Sequence, residues 1–433
     1  MSGFCTLTPP ELELTPFEAS LQKAGETLAN DSLLPLRQAA QARYNKLGFP
    51  QSRQLEAWKY VDLQGLSQHA WTPTLQKEEK DTFIEWIYPK ACRLAMVNGA
   101  MQDHGSCEKV QPLQETLLTH PESLVPVLGS VEEEDDALSL VNRIFAPEPY
   151  ALRVSANQEM KTPLEWVIHH DKASNSFPAL YIDLGENASA QVLIRIKGDL
   201  HPQGLTYLQG FIHITQAKGS RLQLTVLSNI AYAGYNFFNT QATLAEDAQL
   251  KLFSTALNAE HFRHHMAVTL AGEKADASLN GLSILSGHNK THMHVRLTHA
   301  VPNCTSSQIF KAALGAQAFH EFDGSIFVRK DAQKTNAQQL SRSLLLSKKA
   351  KAFARPWLQI DADDVKCSHG ATVGQLDHAQ LFYLLSRGIS EERAKALLTQ
   401  GFCDSMLSDT YLDAYVKRYF MKRVHCALVA ATV

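Results

Sequence analysis

Several features that define large protein classes are missing from this sequence of 433 residues. No apolar run approaches the roughly 18 to 20 residues that a membrane-spanning helix requires. Lysine and arginine number 41 against 44 aspartates and glutamates, and the resulting charge of −3 argues against a nucleic-acid-binding protein, which usually has a strong basic excess. The N-terminal residues lack the basic and apolar regions of a secretory signal. We therefore expect a cytoplasmic protein that binds neither membranes nor nucleic acid.

The seven cysteines are scattered along the chain, and none forms the CxxC pair of a zinc ribbon or a thioredoxin motif. This usage predicts free thiols in a reducing compartment. The sequence also contains no GxxxxGK[ST] motif, no strand-linked GxGxxG motif and no GxSxG motif. It therefore has no recognisable phosphate-binding loop of its own, and we expect any nucleotide dependence to come from a partner.

Helical periodicity marks the N-terminal region. Apolar residues recur at helical spacing between Phe17 and Leu28 and again between Leu33 and Ala40. The run Gly48-Phe49-Pro50 is a typical stop signal. These patterns predict two helices before residue 50.

The pattern changes near residue 150 to short alternating strands separated by turns. The turns near residues 187, 218, 247 and 274 recur every 27 to 31 positions, and each is flanked by two strands in a hairpin-like unit. Such periodicity favours a stacked β-architecture in which each unit buries its apolar face on the next one, although sandwiches and barrels also have regular turns.

Helices are predicted again after residue 370. Asp377 can cap a helix with Gln380 three residues later, and Gly388 is placed to end that helix. Ser390 opens a second helix that is expected to end before Gly401, and a third follows. We therefore divide the chain into an N-terminal helical domain, a transition segment, a β-core and a C-terminal helical domain, at residues 1–90, 91–150, 151–370 and 371–433.

Two histidine-rich stretches could in principle bind a metal ion. His292 and His294 lie two residues apart, as in the HxH motif of metal-binding cupin barrels. Period-two alternation places both on the polar face of a strand together with Arg296, and an arginine is a poor neighbour for a dication. No glutamate follows within a few residues. We therefore interpret these histidines, and the similar stretch 261–265, as solvated strand faces rather than metal sites.

Acidic clusters have a simpler interpretation. The run between residues 129 and 140 is typical of a solvated connection or of a charged first helical turn. Asp361, Asp363 and Asp364 could in principle act as acid–base groups, but their composition is typical of a strand end or turn.

The C-terminal third contains a long, ordered set of motifs. Residues 322–390 include Gly324 in "FDGSI", the element "SLLLS", the run "PWLQIDADDVKCSHGAT" (356–372) and "LFYLLSRGI" (381–389). This segment resembles the core of the SufB/SufD family, whose members are scaffold subunits of the Suf machinery for iron–sulfur cluster assembly. An ordered match of this length is far more specific than a short motif.

Other stretches extend the resemblance over most of the chain. They are residues 45–66, in which Trp58 and Tyr60 match the family pattern, residues 94–100 and residues 297–314. Residues 105–150 are the least recognisable part.

Two departures distinguish the branches of this family. The larger subunit, SufB, has His-Glu-Ala-Thr where this sequence has the run 369–372, His-Gly-Ala-Thr. SufB also has a cysteine at the position of Ser341. Both departures favour the sister branch, which lacks the cluster-building thiolate.

The resemblance implies a right-handed parallel β-helix flanked by helical domains. It implies a non-catalytic scaffold subunit that pairs with SufB through the β-helix ends and with the ATPase SufC, to build and transfer nascent clusters. Without SufB, the same edge could meet a second copy of this chain. No cofactor is expected to bind tightly to the isolated chain: a transient iron–sulfur cluster would lie at the SufB interface, and ATP would act only through SufC.

The resemblance also assigns candidate site residues. It places His369 at the SufB interface, as a cluster ligand or a proton relay. Cys367 shares its side of an extended segment and could converge on the same ligand, although free cysteine is usually buried. The helical stretch after them is implied to dock SufC, whereas the residues alone show an amphipathic helix that could simply cap the β-core. The docking candidates are Leu381, Phe382, Tyr383, Leu384, Arg387 and Gly388.

An alternative function is a metal-dependent enzyme with a β-helix or cupin-like fold, acting on a small molecule or a saccharide. Stoichiometric metal in the isolated protein that is lost on His292→Ala would favour this alternative.

Overall fold

Two long, mostly parallel β-sheets form the centre of the molecule. The computed structural model describes residues 14–27, 32–50, 56–73, 84–103, 107–121, 128–129, 131, 136–199, 204–231, 233–408 and 412–432. In chain order, the strands are β1 (Cys92–Val97), β2 (Ala100–Asp103), β3 (Val110–Pro112), β4 (Tyr150–Val154), β5 (Leu164–His170), β6 (Asn175–Ser176), β7 (Ala179–Leu184), β8 (Ser189–Gly198), β9 (Thr206–Gln216), β10 (Arg221–Ile230), β11 (Gly234–Leu244), β12 (Gln249–Leu257), β13 (His261–Leu270), β14 (Asp276–Leu285), β15 (Lys290–His299), β16 (Thr305–Leu314), β17 (Phe319–Val328), β18 (Asn336–Leu345), β19 (Lys351–Ile360) and β20 (Lys366–Gly374).

From β7 onward, successive strands alternate between the two sheets. The first sheet has the order β2-β1-β5-β8-β10-β12-β14-β16-β18-β20, and the second has the order β19-β17-β15-β13-β11-β9-β7-β4-β3, with β6 beside β9. From β7 onward, each strand pairs in parallel with the strand two places along the chain. This arrangement is a parallel β-solenoid, which confirms the predicted mainly β fold with flanking helices. The hairpin-like interpretation of each unit is wrong, because the two strands beside a turn lie in different sheets.

The turns of successive coils stack on one another. Their backbones are linked by hydrogen bonds, for example from Asn187 N–H to Lys218 O (2.8 Å) and from Asp247 N–H to Glu273 O (2.9 Å). One residue in each turn has a positive φ between 54° and 68°, a conformation that glycine, asparagine and aspartate tolerate best. These residues are Asn187, Gly219, Asp247, Lys274 and Asn303, and the first four lie at the turns that the sequence predicted.

Apolar side chains stack in rows inside the solenoid. Leu224 lies opposite Val192 on one neighbouring strand and opposite Leu252 on the other, and all three are at most 1% exposed. Burying one such side chain stabilises the fold by about 1.5–3 kcal/mol. Each coil therefore covers the next, as the sequence pattern predicted.

N-terminal helices cover the outer face of the second sheet. Phe17 and Leu36 pack against aromatic residues of that face, and the ring of Phe17 lies 6.4 Å from that of Tyr207. Gly48, with φ of 72°, ends the second helix. The two predicted helices are confirmed, although Leu28 lies outside the described residues. The helices of this part are α1 (Pro16–Thr27), α2 (Leu34–Leu47), α3 (Leu63–Ser67), α4 (Leu113–Thr119) and α5 (Ala137–Phe145).

A short segment at residues 56–60, here called the covering segment, continues this layer over the strands of the second sheet between β11 and β19. Trp58 is 3% exposed, and its ring lies 6.1 Å from that of Phe237. The ring of Tyr60 stacks on that of Phe353 at 4.6 Å. Residues that are distant in sequence therefore cover part of the outer face of the second sheet.

The acidic run 129–140 is only partly described, and its described aspartate is not solvated. Asp136 accepts a hydrogen bond from Leu138 N–H at the start of α5 (3.1 Å) and is 5% exposed. Its carboxylate also lies 2.7 Å from Nη1 of Arg263, and this partner offsets the cost of burying the charge. The prediction of a charged helix start is correct for Asp136, but that of a solvated residue is wrong.

C-terminal helices pack on the outer face of the first sheet. The helices of this part are α6 (His378–Ser386), α7 (Glu391–Ser408) and α8 (Ala414–Thr432), of which α7 and α8 bury side chains against the sheet. The ring of Phe420 on α8 meets that of Phe253 at 5.8 Å. As predicted, Asp377 caps α6, accepting hydrogen bonds from Ala379 N–H (2.7 Å) and Gln380 N–H (3.1 Å), and Gly388 follows its end with φ of 81°.

The second of these helices does not end where the sequence suggested. It runs through Gly401 to Ser408. A glycine inside a helix costs roughly 1 kcal/mol, but the turns after it bury Cys403 and Met406 against the first sheet. This packing outweighs the stop signal. None of the described helices combines the length and apolar character that a membrane span requires.

Two cysteines form a disulfide bond, so the expectation of free thiols is wrong for this pair. Cys92 and Cys107 are 15 positions apart in sequence, with Cα atoms 5.3 Å apart. Cys304, Cys367 and Cys403 are free. Burial raises the pKa of the Cys403 thiol to about 12, so this group is an inert core residue.

Candidate functional site

His369 lies on the last strand of the first sheet. On one side β20 pairs with β18, where His369 is opposite Gln339. Within the described part of the chain, no strand pairs with the other side of β20. The His369 side chain is exposed. Its imidazole is therefore accessible to a group from another molecule, beside an open backbone edge.

Cys367 is in a different environment. It lies opposite Ala337 of β18 and is half-buried against the apolar interior of the solenoid. Burial raises the pKa of its thiol, which disfavours the thiolate that would bind a metal. Of the two predicted site residues, only His369 has an exposed side chain. That both residues bind one ligand together stays a prediction.

The final coil leaves an apolar end surface on the solenoid. Both β19 and β20 are terminal strands of their sheets, and their exposed large side chains include Phe353 (43%), Trp357 (47%) and Val373 (46%). Unpaired parallel edges with exposed aromatic residues are typical of surfaces that pair with another chain. We call this surface, formed by β19 and β20, the open end.

The predicted docking helix α6 has no buried residue. Phe382 is 72% exposed and Tyr383 57% exposed, whereas Leu381 and Leu384 are half-buried. The guanidinium of Arg387 lies 5.3 Å from the Tyr383 ring, and the exposed Gly388 follows it. The six predicted docking residues therefore form one short surface, and two aromatic side chains on it are free for contact.

The interpretation of His292 and His294 as a solvated face is wrong. They are 1% and 4% exposed, because the covering segment and neighbouring strands lie over this part of the second sheet. Nδ1 of His292 lies 2.7 Å from Oε2 of Glu321, and Nε2 of His294 lies 3.4 Å from the same oxygen. In the register of β15 and β17, Glu321 is directly opposite His292. The missing glutamate is therefore supplied by the next coil.

The charges in this cluster depend on one another. Burial would raise the pKa of Glu321, but the contacts with His292 and His294 outweigh it and hold this pKa well below its usual range. Burial, together with the nearby Arg263, lowers the pKa of His294. The cluster thus combines a carboxylate with an imidazole that favours its neutral form.

The stretch 261–265 is also buried rather than solvated. His264 is fully buried, with Nδ1 2.8 Å from Ser254 Oγ and Nε2 3.0 Å from Thr240 Oγ1. Arg263 is 2% exposed and lies over the Trp58 ring at 3.9 Å. Both ring nitrogens of His264 are therefore satisfied by hydroxyl groups of the core, and Arg263 is held by Trp58 and by Asp136.

A cavity of about 590 Å³ opens beside this cluster on the outer face of the second sheet. His294 and Asp323 line it from the sheet, and Trp58 lines it from the covering segment. Arginines also reach it, which gives the cavity a polar, mixed-charge wall. Sequence reasoning missed this cavity because its walls come from distant parts of the chain.

The fold and the site define a parallel β-solenoid protein whose last strand has an unpaired edge and an exposed histidine. A family model described as "SUF system FeS cluster assembly, SufBD core domain" matches residues 167–402. A SufBD-family iron–sulfur cluster assembly protein of Synechocystis sp. is 29% identical over 413 residues, covering 90% of each chain.

SufD of Escherichia coli is 31% identical over 247 residues, covering 56% of this chain and 57% of that protein. SufD of Bacillus subtilis is 42% identical over 97 residues, covering 22% of each chain. The chain belongs to the SufB/SufD family of iron–sulfur cluster assembly proteins.

Proposed function

We propose that this chain is the SufD-type scaffold subunit of a Suf complex, in which it pairs with SufB and with the ATPase SufC to build and transfer nascent iron–sulfur clusters in the cytoplasm. Similarity to two SufD proteins supports the branch. So does Ser341, which is buried in β18 and offers a hydroxyl where SufB has the cluster-building thiol. The subunit contributes surfaces and one ligand rather than catalysis.

The observation that carries the proposal is the exposure of His369 on the edge strand of the open end. A cluster bound between two chains needs ligands from both, and an imidazole can replace a thiolate on iron. It can also relay a proton during sulfur delivery. Because β20 has an open edge, a SufB strand adding there would lie directly beside His369. Separation of the two chains would then release the cluster.

The exposed surface of α6 supports a second contact, with SufC. Phe382 and Tyr383 are large, aromatic and solvent-exposed, which is typical of residues that anchor an interface. Neither is needed to cover the solenoid. ATP hydrolysis in SufC would reach the cluster site through movement of this helix relative to the open end.

The test is His369→Ala in the complex co-expressed with SufB and SufC. We expect the complex to assemble normally, because the side chain is exposed, and its iron and sulfide content to fall strongly. His288→Ala is the matched control, since His288 is exposed on a distant turn. Normal cluster loading in His369→Ala would reduce this histidine to a structural role. Failure of the chain to co-purify with either partner would contradict the proposed function.

A further inference from the structure

We propose that His292, His294 and Glu321 form a binding site for one divalent transition-metal ion, distinct from the candidate cluster ligand His369. Each residue offers one ligand atom, and the three atoms lie within 4.8 Å of one another. A tetrahedral ion with ligands at about 2.0–2.1 Å places neighbouring ligand atoms about 3.3 Å apart. Small side-chain rotations therefore suffice to surround an ion.

The histidines have unused ligand atoms in a buried setting. Among the residues that the structure describes, Nε2 of His292 and Nε2 of His294 each lack a hydrogen-bond partner, and neither residue is more than 4% exposed. The 3.4 Å approach of His294 Nε2 to Glu321 is not a hydrogen bond. Leaving a buried polar nitrogen without a partner is destabilising. A cation between His294 and Glu321 would give this nitrogen its missing partner.

A second carboxylate, that of Asp323, lies next to the proposed ligand His294. Nδ1 of His294 lies 3.6 Å from Oδ2 of Asp323, on the side of the ring opposite the Glu321 contact. Metal-binding histidines usually donate their other ring N–H to such a carboxylate, which fixes the tautomer and the ring orientation. Asp323 is itself held by Arg355, whose Nε donates to Oδ1 at 3.2 Å. Asp323 is thus a positioning residue.

The surrounding arginines do not leave an excess of positive charge. Three arginines line the adjacent cavity, at positions 263, 296 and 355, together with the carboxylates of Glu56, Asp136 and Asp323. With Glu321 there are four carboxylates against three guanidinium groups. Arg263 is paired with Asp136 at 2.7 Å. A dication is therefore tolerated here, contrary to the argument from Arg296 alone.

The ligand set indicates the class of metal. Two imidazoles and one carboxylate, without sulfur, suit iron(II) and zinc(II), whereas magnesium and calcium prefer oxygen ligands. His294 also lines the cavity of about 590 Å³, which gives an ion a route in and leaves a coordination position for water or a small ligand. An ion bound here would contradict the expectation that no cofactor binds tightly to the isolated chain.

The test is a titration of the metal-free, full-length chain with Fe²⁺ under anaerobic conditions, with Zn²⁺ and with Co²⁺. We expect one equivalent of tightly bound metal, a raised thermal midpoint, and a Co²⁺ absorption spectrum without a thiolate charge-transfer band. Glu321→Gln and His294→Gln should each weaken binding at least about 100-fold, and Asp323→Asn about 10–100-fold. Preference for one ion identifies the metal.

The controls separate this site from the proposed cluster ligand. His299→Gln changes a buried histidine at the end of β15, whose Nε2 lies in hydrogen-bond contact with Ser306 Oγ at 2.9 Å. This variant should still bind the metal. His369→Ala should also keep it, so failure of one proposal leaves the other standing. Circular dichroism reports whether each variant folds. Binding of less than about 0.2 equivalent by the wild-type chain, or equal affinity in folded Glu321→Gln, would overturn the proposal.

Discussion

Nη1 of Arg195 lies 2.8 Å from Oε1 of Glu165, and both side chains are almost completely buried. The carboxylate also accepts hydrogen bonds from the backbone N–H groups of Ile87 (2.9 Å) and Tyr88 (3.1 Å). Nη2 of Arg195 donates to the hydroxyl of Tyr419 on α8 (3.0 Å). One ion pair therefore ties the first sheet to the segment before β1 and to the C-terminal helices.

Glu165→Gln should destabilise the protein strongly, because it leaves the Arg195 charge buried without its partner. We expect a loss of about 3–5 kcal/mol in the free energy of unfolding, measured by urea denaturation. Glu246→Gln breaks the solvent-exposed pair with Lys218 and serves as the control, with a change too small to resolve. Equal stability of the two variants would contradict a structural role for the buried pair.

Phe382→Ala combined with Tyr383→Ala should weaken binding of SufC without lowering the stability of this chain, since α6 buries neither ring. The expected loss of affinity is at least about tenfold, as for interface anchors worth more than about 1.4 kcal/mol. It is measured by co-purification and by titration with isolated SufC. Leu118→Ala removes an equally exposed apolar side chain elsewhere (81% exposed) and should bind normally. Unchanged affinity in the double variant would exclude α6 as the docking helix.

His264 should make the fold sensitive to mild acid. Burial, with the charges of His265 and Arg263, lowers its pKa to about 3, against about 6.5 in the unfolded chain. Between these values the unfolded state binds the extra proton, so stability is full above pH 6.5 and falls as the pH drops. The slope is about 1.4 kcal/mol per pH unit for this residue.

His264→Gln removes that contribution. Urea midpoints at pH 7, 6 and 5 should therefore fall less steeply in the variant than in the wild-type protein. Other buried histidines, such as His213 and His320, also have a pKa of about 3, so some slope remains. If the urea midpoints of the variant and the wild-type protein fall equally with pH, His264 does not have a lowered pKa in the folded protein.

Reduction of the Cys92–Cys107 disulfide should lower the free energy of unfolding by about 3 kcal/mol, the value for closing a loop of about 15 residues. Unfolding is measured with and without reductant. Cys92→Ser should match the reduced protein and should not respond to reductant. If reduction releases no additional thiols, the bond is not formed in solution.

Some of the fold could be predicted from local sequence. The turns at Asn187 and Asp247 were placed correctly because left-handed backbone conformations select particular residues, and these recur with every coil. Asp377 and Gly388 likewise mark the ends of α6 through their own chemistry. The continuation of α7 through Gly401 was missed because packing by later residues overrides a local stop signal.

The histidine cluster shows a different limit. Alternation assigned His292 and His294 correctly to one face, but a single strand carries no information about what covers that face. The cover is Trp58 and its neighbours, which are remote in sequence. Glu321, by contrast, was within reach of prediction: it lies one coil after His292, at the period that the turns had already revealed.

The two ends of the solenoid are unequal, and this limits how many bodies can stack. At the N-terminal end the sheets finish in β2 and β3, which have 4 and 3 residues and run antiparallel to their neighbours. At the other end β19 and β20 present 10 and 9 residues. Head-to-tail stacking would leave most of the longer edges unpaired, whereas a second open end could match them fully. Association through this surface would therefore pair two open ends and would not propagate into a filament.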